Sequence, residues 1–158
     1  MDGYNKEFMM EAIKLGIAGM NRNEGGPFGA VVVKNNVIIG RGNNKVLLLN
    51  DPTAHAEIVA IREACANIKD FQLNDCILYT SCEPCPMCMG SIYWARPKKV
   101  FYGCSRFDAA EIGFDDELIY QQLEVKNELR RIPFINQDRD MAIKAFELWS
   151  SKQDKTKY

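Results

Sequence analysis

His55 is the only histidine in the chain, and it stands in Pro52-Thr53-Ala54-His55-Ala56-Glu57, upstream of Pro84-Cys85-Pro86-Met87-Cys88. One imidazole and two thiols at i and i+3 are good metal donors, and a carboxylate follows the imidazole by two residues. Three protein ligands suit a catalytic zinc, which keeps a place open for water, whereas a structural zinc takes four. Zinc lowers the pKa of water bound to it from about 15.7 to roughly 7, and Glu57 is the natural acceptor of that proton. An alternative stays open: Cys82, three residues before Cys85, could complete a closed site of three thiolates and one imidazole. A lone Cys-x-x-Cys also occurs in redox sites. A closed structural site has no use for Glu57, so the catalytic reading of His55, Cys85, Cys88 and Glu57 is preferred.

Donors thirty residues apart need a fold to bring them together. Residues 4–20 carry Phe8, Ala12, Leu15 and Ile17 between polar neighbours, the spacing of an amphipathic helix. Residues 28–34 form a β-branched run, Asn35-Asn36 suits a tight hairpin turn, and residues 37–40 return as the partner strand. Residues 43–54 lack periodicity. A second helix is expected over residues 55–68 with Asp51 or Thr53 as its cap. Strands follow at 76–80 and 98–103, with a helix opened by Cys85 between them, and helices at 115–124 and 138–151. This order predicts an α/β fold, a three-layer α-β-α sandwich around a mixed β-sheet.

Both halves of the donor set fall at helix starts. Cys85 and Cys88 share a face as i and i+3, but His55 and Glu57 do not if their helix is regular. The metal is therefore expected near the axis, beyond the helix ends, where first-turn side chains converge. Helix N-termini also turn positive dipole ends toward the two thiolates.

The 158 residues predict a single domain over 1–158. Apolar residues make up 47% and charged ones 26%, ordinary for a globular protein. Apolar runs such as Val46-Leu47-Leu48-Leu49 are too short to span a bilayer. The first residues lack the basic start and apolar stretch of a signal peptide, so a cytoplasmic protein with no membrane partner is expected. Cys65, Cys76 and Cys104 read as small buried hydrophobes rather than disulfide partners. Net charge is −1, from 20 basic and 21 acidic residues. Polynucleotide binding leans on cationic neutralisation of phosphates, so a small, weakly charged substrate fits better than nucleic acid.

The two motifs resemble those of the cytidine deaminase superfamily, whose H-x-E…P-C-x-x-C signature they reproduce. They are closest to the purine-acting branch, which holds tRNA adenosine deaminases and small guanine deaminases. Gly26-Pro27-Phe28-Gly29, Ile92-Tyr93-Trp94-Ala95-Arg96-Pro97, Gly113-Phe114-Asp115-Asp116 and the final Tyr158 resemble the bacterial guanine deaminases. The resemblance implies a cytidine deaminase-like fold, one Zn2+ per chain, and hydrolysis of guanine to xanthine and ammonia in purine metabolism. Glu57 would take the proton of the attacking water, protonate N3, and then protonate the departing amine.

Further roles follow from the same resemblance. Asn44 would hydrogen-bond the base, or else simply cap a turn, and a slip of one residue would give its role to Asn43. Phe28 would stack on the purine, or else simply head an apolar strand. Ala54 would belong to the substrate contacts. Asp116 would accept a ring N–H and assist proton movement, unless Asp115 and Asp116 merely begin a helix. The family implies a homodimer that exchanges the C-terminal segment, about residues 138–158, so that Tyr158 closes the neighbouring pocket. Guanosine or another aminated purine or pyrimidine, a tRNA adenosine, and a non-enzymatic zinc scaffold are the competing readings.

Overall fold

The computed structural model describes residues 3–157. β1 (Gly29–Lys34) and β2 (Val37–Asn43) form a hairpin whose turn residues, Asn35 and Asn36, take φ of 50° and 60°. Both lie in the left-handed region that a two-residue hairpin turn demands and that asparagine tolerates. β1 pairs antiparallel with β3 (Ile77–Cys82), and β3 pairs parallel with β4 (Lys99–Cys104), giving a mixed sheet in the order β2-β1-β3-β4. A parallel pair needs a crossover, and α4 (Pro86–Ala95) provides it.

Alternation along the strands sorts side chains onto two faces. Val31, Val33 and Tyr79 pack with Phe8, Met9 and Leu15 of α1 (Lys6–Asn21). Ala30, Val32 and Leu78 pack on the other face with Ala60, Ile61 and Ala64 of α3 (Ala56–Ile68) and Ala95 of α4. The three layers are those expected. Central β1 is covered on both sides, so Gly-Ala-Val-Val-Val is apolar without alternation. The first turn of α3 presses on β2: a Cβ on Gly42 would come within 2.1 Å of the Ala56 carbonyl oxygen.

Several local expectations are corrected. Residues 43–54 contain a short helix, α2 (Val46–Leu49), too brief to show a period. α5 (Arg106–Glu111) was not foreseen; Ser105 and Asp108 close a capping box at its start. His55 itself is the N-cap of α3, not Asp51 or Thr53; the Asp51 carboxylate instead accepts the Thr53 N–H and hydroxyl at 2.8 and 2.7 Å. Cys104 is exposed rather than buried, because β4 is an edge strand, whereas Cys76 is buried and Cys65 packs partly against the core.

The chain forms two compact units, Met1–Asp116 and Glu117–Tyr158. The second holds α6 (Glu117–Glu124), a 3-10 turn (Asn127–Leu129) and α7 (Arg139–Ser151), and no residue of these three elements is buried. α6 starts after Asp115 and Asp116, which therefore precede the helix. No helix among the described residues is long and apolar enough to cross a membrane.

Candidate active site

His55 and Cys85 occupy equivalent places, each the N-cap of a helix, with extended backbones at φ −68°, ψ 156° and φ −63°, ψ 168°. Neither side chain caps its own helix, so both are free to turn off the helix end. Pro86 opens α4, where its fixed φ suits the first turn and its missing N–H costs nothing. Glu57 and Cys88 sit within the first turns. This removes the difficulty of helix faces, since His55 and Cys85 are not helical and the four side chains converge beyond two helix ends.

His55 Nδ1 lies 3.5 Å from Cys85 Sγ and 3.5 Å from Cys88 Sγ. The three donor atoms all fall within 4.8 Å of one another. Zinc bonds of about 2.05 Å to nitrogen and about 2.3 Å to sulfur, at the tetrahedral angle, separate N from S by about 3.6 Å. The donors are thus spaced for zinc, with Nδ1 the ligating nitrogen. Cys82 is not part of the group; its thiol donates to the Ser105 carbonyl at 3.5 Å. The closed four-ligand alternative finds no support among the described residues.

The four side chains are close enough to shift one another's protonation. The Cys88 thiol, and then the His55 ring, hold Cys85 down to about 4 despite its burial. The same contact with Cys85, together with burial, pushes Cys88 up. Cys85 raises His55 above its ordinary value. Glu57 is buried, and that burial raises its pKa. The Cys88 thiol donates to Glu57 Oε2 at 3.5 Å, so the carboxylate stands beside the donor set.

The residues expected to read the base are tied together through the backbone. The Asn44 N–H donates to the Phe28 carbonyl at 2.9 Å, and the Lys45 N–H donates to the Ala54 carbonyl at 2.9 Å. Ala54 and Asn44 are buried and Phe28 is half-buried. Asp116 is half-buried; burial, and then the charge at Cys85, raise its pKa while Arg106 opposes them. Tyr158 lies outside the described residues. The sequence reading assigned nothing to Phe114, whose ring meets Phe28 edge to face with centroids 4.9 Å apart at 89°. Its signal was an aromatic residue directly before two acids.

Residues 3–104 match the model of the cytidine and deoxycytidylate deaminase zinc-binding region. The chain belongs to the cytidine and deoxycytidylate deaminase family. Within that family, a guanine deaminase of Bacillus subtilis is 51% identical to this deaminase over 154 residues, covering 98% of this chain and 99% of the relative. A tRNA-specific adenosine deaminase of Buchnera aphidicola is 44% identical over 104 residues, 66% of this chain and 68% of the relative. The X-ray structure of guanine deaminase from Bacillus subtilis superposes with a TM-score of 0.95 at 50% identity, covering 98% of this chain and 99% of that one. Zinc is the metal of this deaminase, and the His55, Cys85 and Cys88 group fits it.

Proposed function

We infer that this deaminase hydrolyses guanine to xanthine and ammonia. The observation that carries the reading is length: the likeness to the guanine deaminase spans 98% of the chain, against 66% for the tRNA-specific enzyme. A net charge of −1 also suits a free base better than a polyanion.

His55, Cys85 and Cys88 hold the zinc. When bound there, the metal supplies the Lewis acidity that makes water a nucleophile near neutral pH. Glu57 takes the proton of the attacking water and passes it to N3 of the purine; it then takes the remaining proton of the hydroxyl at C2 and gives it to the amine, which leaves as ammonia while C2 becomes a carbonyl. Its burial supports this role, since a carboxyl group with a raised pKa gives back a proton as readily as it takes one. Phe28, braced by Phe114, forms an aromatic wall for the flat base. Ala54, whose carbonyl accepts the Lys45 N–H next to Asn44, belongs to the substrate contacts. Asn44 donates to the base, and Asp116 accepts a ring N–H.

An ultraviolet assay with guanine, guanosine, adenine and cytosine at equal concentration checks the assignment. Guanine is expected to turn over fastest, with a margin over adenine as large as about 10⁴, because a site built on hydrogen bonds is left with unpaired groups by the wrong base. Faster turnover of guanosine than of guanine would overturn the free-base reading.

The reading includes one deaminase domain over residues 1–158 and a cytoplasmic homodimer that exchanges residues 138–158, with Tyr158 closing the neighbouring pocket. Met141, Phe146, Leu148 and Trp149 of α7 support it, since they remain exposed in the single chain. An amphipathic helix is stabilised chiefly by burying such a face. Deleting the last few residues is expected to change kcat and KM together, as loss of a lid does, while zinc content stays unchanged. Normal guanine turnover by the truncated chain would show that the tail does not close the site.

A further inference from the structure

Asn43 and Asn44 are both buried, yet their amides are used differently. Asn43 Nδ2 donates to Glu24 Oε2 at 2.7 Å and to the Asn44 carbonyl at 3.1 Å. Asn44 Oδ1 accepts the Val46 N–H at 3.1 Å. A backbone N–H can only donate, so this bond fixes which end of the Asn44 amide is the oxygen. Asn44 Nδ2 has no partner among the described residues, and no unpartnered side-chain nitrogen or oxygen there is fully buried. The amino group therefore opens onto accessible space, on a residue whose own N–H is bonded to Phe28. Asn44 offers a donor, while its oxygen is already engaged by the Val46 N–H.

Glu24 holds this arrangement from three sides. Its carboxylate accepts Arg22 Nε at 2.7 Å and Nη2 at 3.0 Å as well as the Asn43 amide. Its carbonyl accepts the Leu47 and Leu48 N–H groups at 3.1 and 3.0 Å. The first three N–H groups of α2 are thus paired, one by Asn44 Oδ1 and two by Glu24, which satisfies most of the donors a helix start leaves over. Glycines leave room for both amides: a Cβ on Gly19 would fall 2.2 Å from Asn43 Nδ2, and one on Gly25 would fall 2.0 Å from Asn44 Oδ1. Arg22, then Asn43, hold Glu24 down to about 2, so the carboxylate stays charged.

We propose that Glu24 is a positioning residue which, with Arg22 and Asn43, locks the Asn44 amide so that its N–H₂ group is turned toward the O6 and N7 acceptor edge of the bound purine. The inference rests on the proposed function for the identity of the base and for Asn44 as a donor to it. Glu24 touches neither metal ligand nor base; it acts through Asn44. Base recognition then depends on a carboxylate that no zinc motif includes.

A double-mutant cycle tests this on the zinc-loaded protein, with Glu24→Ala, Asn44→Ala and the pair. Glu24→Ala is expected to raise KM for guanine at least about tenfold, the scale of a lost hydrogen bond to a charged group, with zinc content unchanged and kcat less affected. In the Asn44→Ala background the same change is expected to do nothing further, since residues acting through one another do not add. Glu24→Gln keeps an acceptor for Asn43 and is expected to recover part of the loss; if Glu24→Ala does not fold, the cycle is run with Glu24→Gln. A second readout needs no substrate: hydrogen exchange at the Val46 amide, which Asn44 Oδ1 holds, is expected to quicken in the Glu24 variant, while the Leu47 and Leu48 amides, held by the Glu24 backbone carbonyl, are expected to change less. An equal Glu24 effect with and without Asn44, or unchanged Val46 exchange, would overturn the proposal. If the unaltered protein deaminates no guanine, the functional reading fails, and Val46 exchange still decides whether Glu24 holds Asn44.

Discussion

Glu57→Gln is expected to retain one zinc per chain and to lower kcat for guanine by more than about 10⁴, the upper end of what a single proton-transfer step contributes. The amide has nearly the shape of the carboxylate, which lies 3.5 Å from Cys88 Sγ, and its N–H₂ group can donate to that sulfur as a zinc-bound thiolate. It cannot take a proton from water. Two transfers run through Glu57, one to the ring and one to the leaving amine, so losing the group affects both. Metal analysis alongside xanthine formation separates this outcome from loss of zinc. If turnover stays within about tenfold of the unaltered protein, the base lies elsewhere, and Asp116 is the first residue to examine.

Cys88→Ser is expected to abolish zinc retention on dialysis and, with it, turnover. Cys88 is fully buried, and its sulfur makes one of the two 3.5 Å approaches to His55 Nδ1. A hydroxyl is a far poorer zinc ligand than a thiolate at neutral pH. Zinc held only by the folded state adds RT ln(1 + [L]/Kd) to stability, about 4 kcal/mol at a thousandfold excess over Kd. A chelator should therefore lower the melting temperature of the unaltered protein and leave that of Cys88→Ser where it stands. Cys82→Ser is the matched control: its thiol bonds the Ser105 carbonyl, so zinc content and turnover should persist. Loss of zinc in the Cys82 variant would bring back the closed four-ligand site.

The metal site was legible because its chemistry admits few residue types and the chain has one histidine. The hairpin was legible for a similar reason, since Asn35-Asn36 sits where positive φ is required. Their spatial relation was not. Reading His55 as the first residue of a helix created a conflict with Glu57, which disappears once His55 and Cys85 are both N-caps. α2 has four residues and α5 has six, too few for apolar spacing to reveal them. The exposure of Cys104 follows from strand order, and periodicity carries no information about which strand lies at an edge. Asn44 was legible as a side chain that could hydrogen-bond the base. Only coordinates reveal that Val46 has already claimed the oxygen.

The placement of the four chemical side chains at two helix starts bears on how such a protein can diversify. His55, Glu57, Cys85 and Cys88 hang from two short joints, one fastened to β2 through Gly42 and the other continuing from β3. All four fall within residues 3–104, the part matched by the family model, while Phe114 and Asp116 lie beyond it. A lineage can therefore vary the segment after β4, and with it the part of the pocket proposed for Phe114 and Asp116, without disturbing the hydrolytic joints, whereas Phe28, Asn44 and Ala54 lie inside the matched stretch. The motif announces the reaction far more clearly than the base, because the residues proposed to read the base are scattered on both sides of β4.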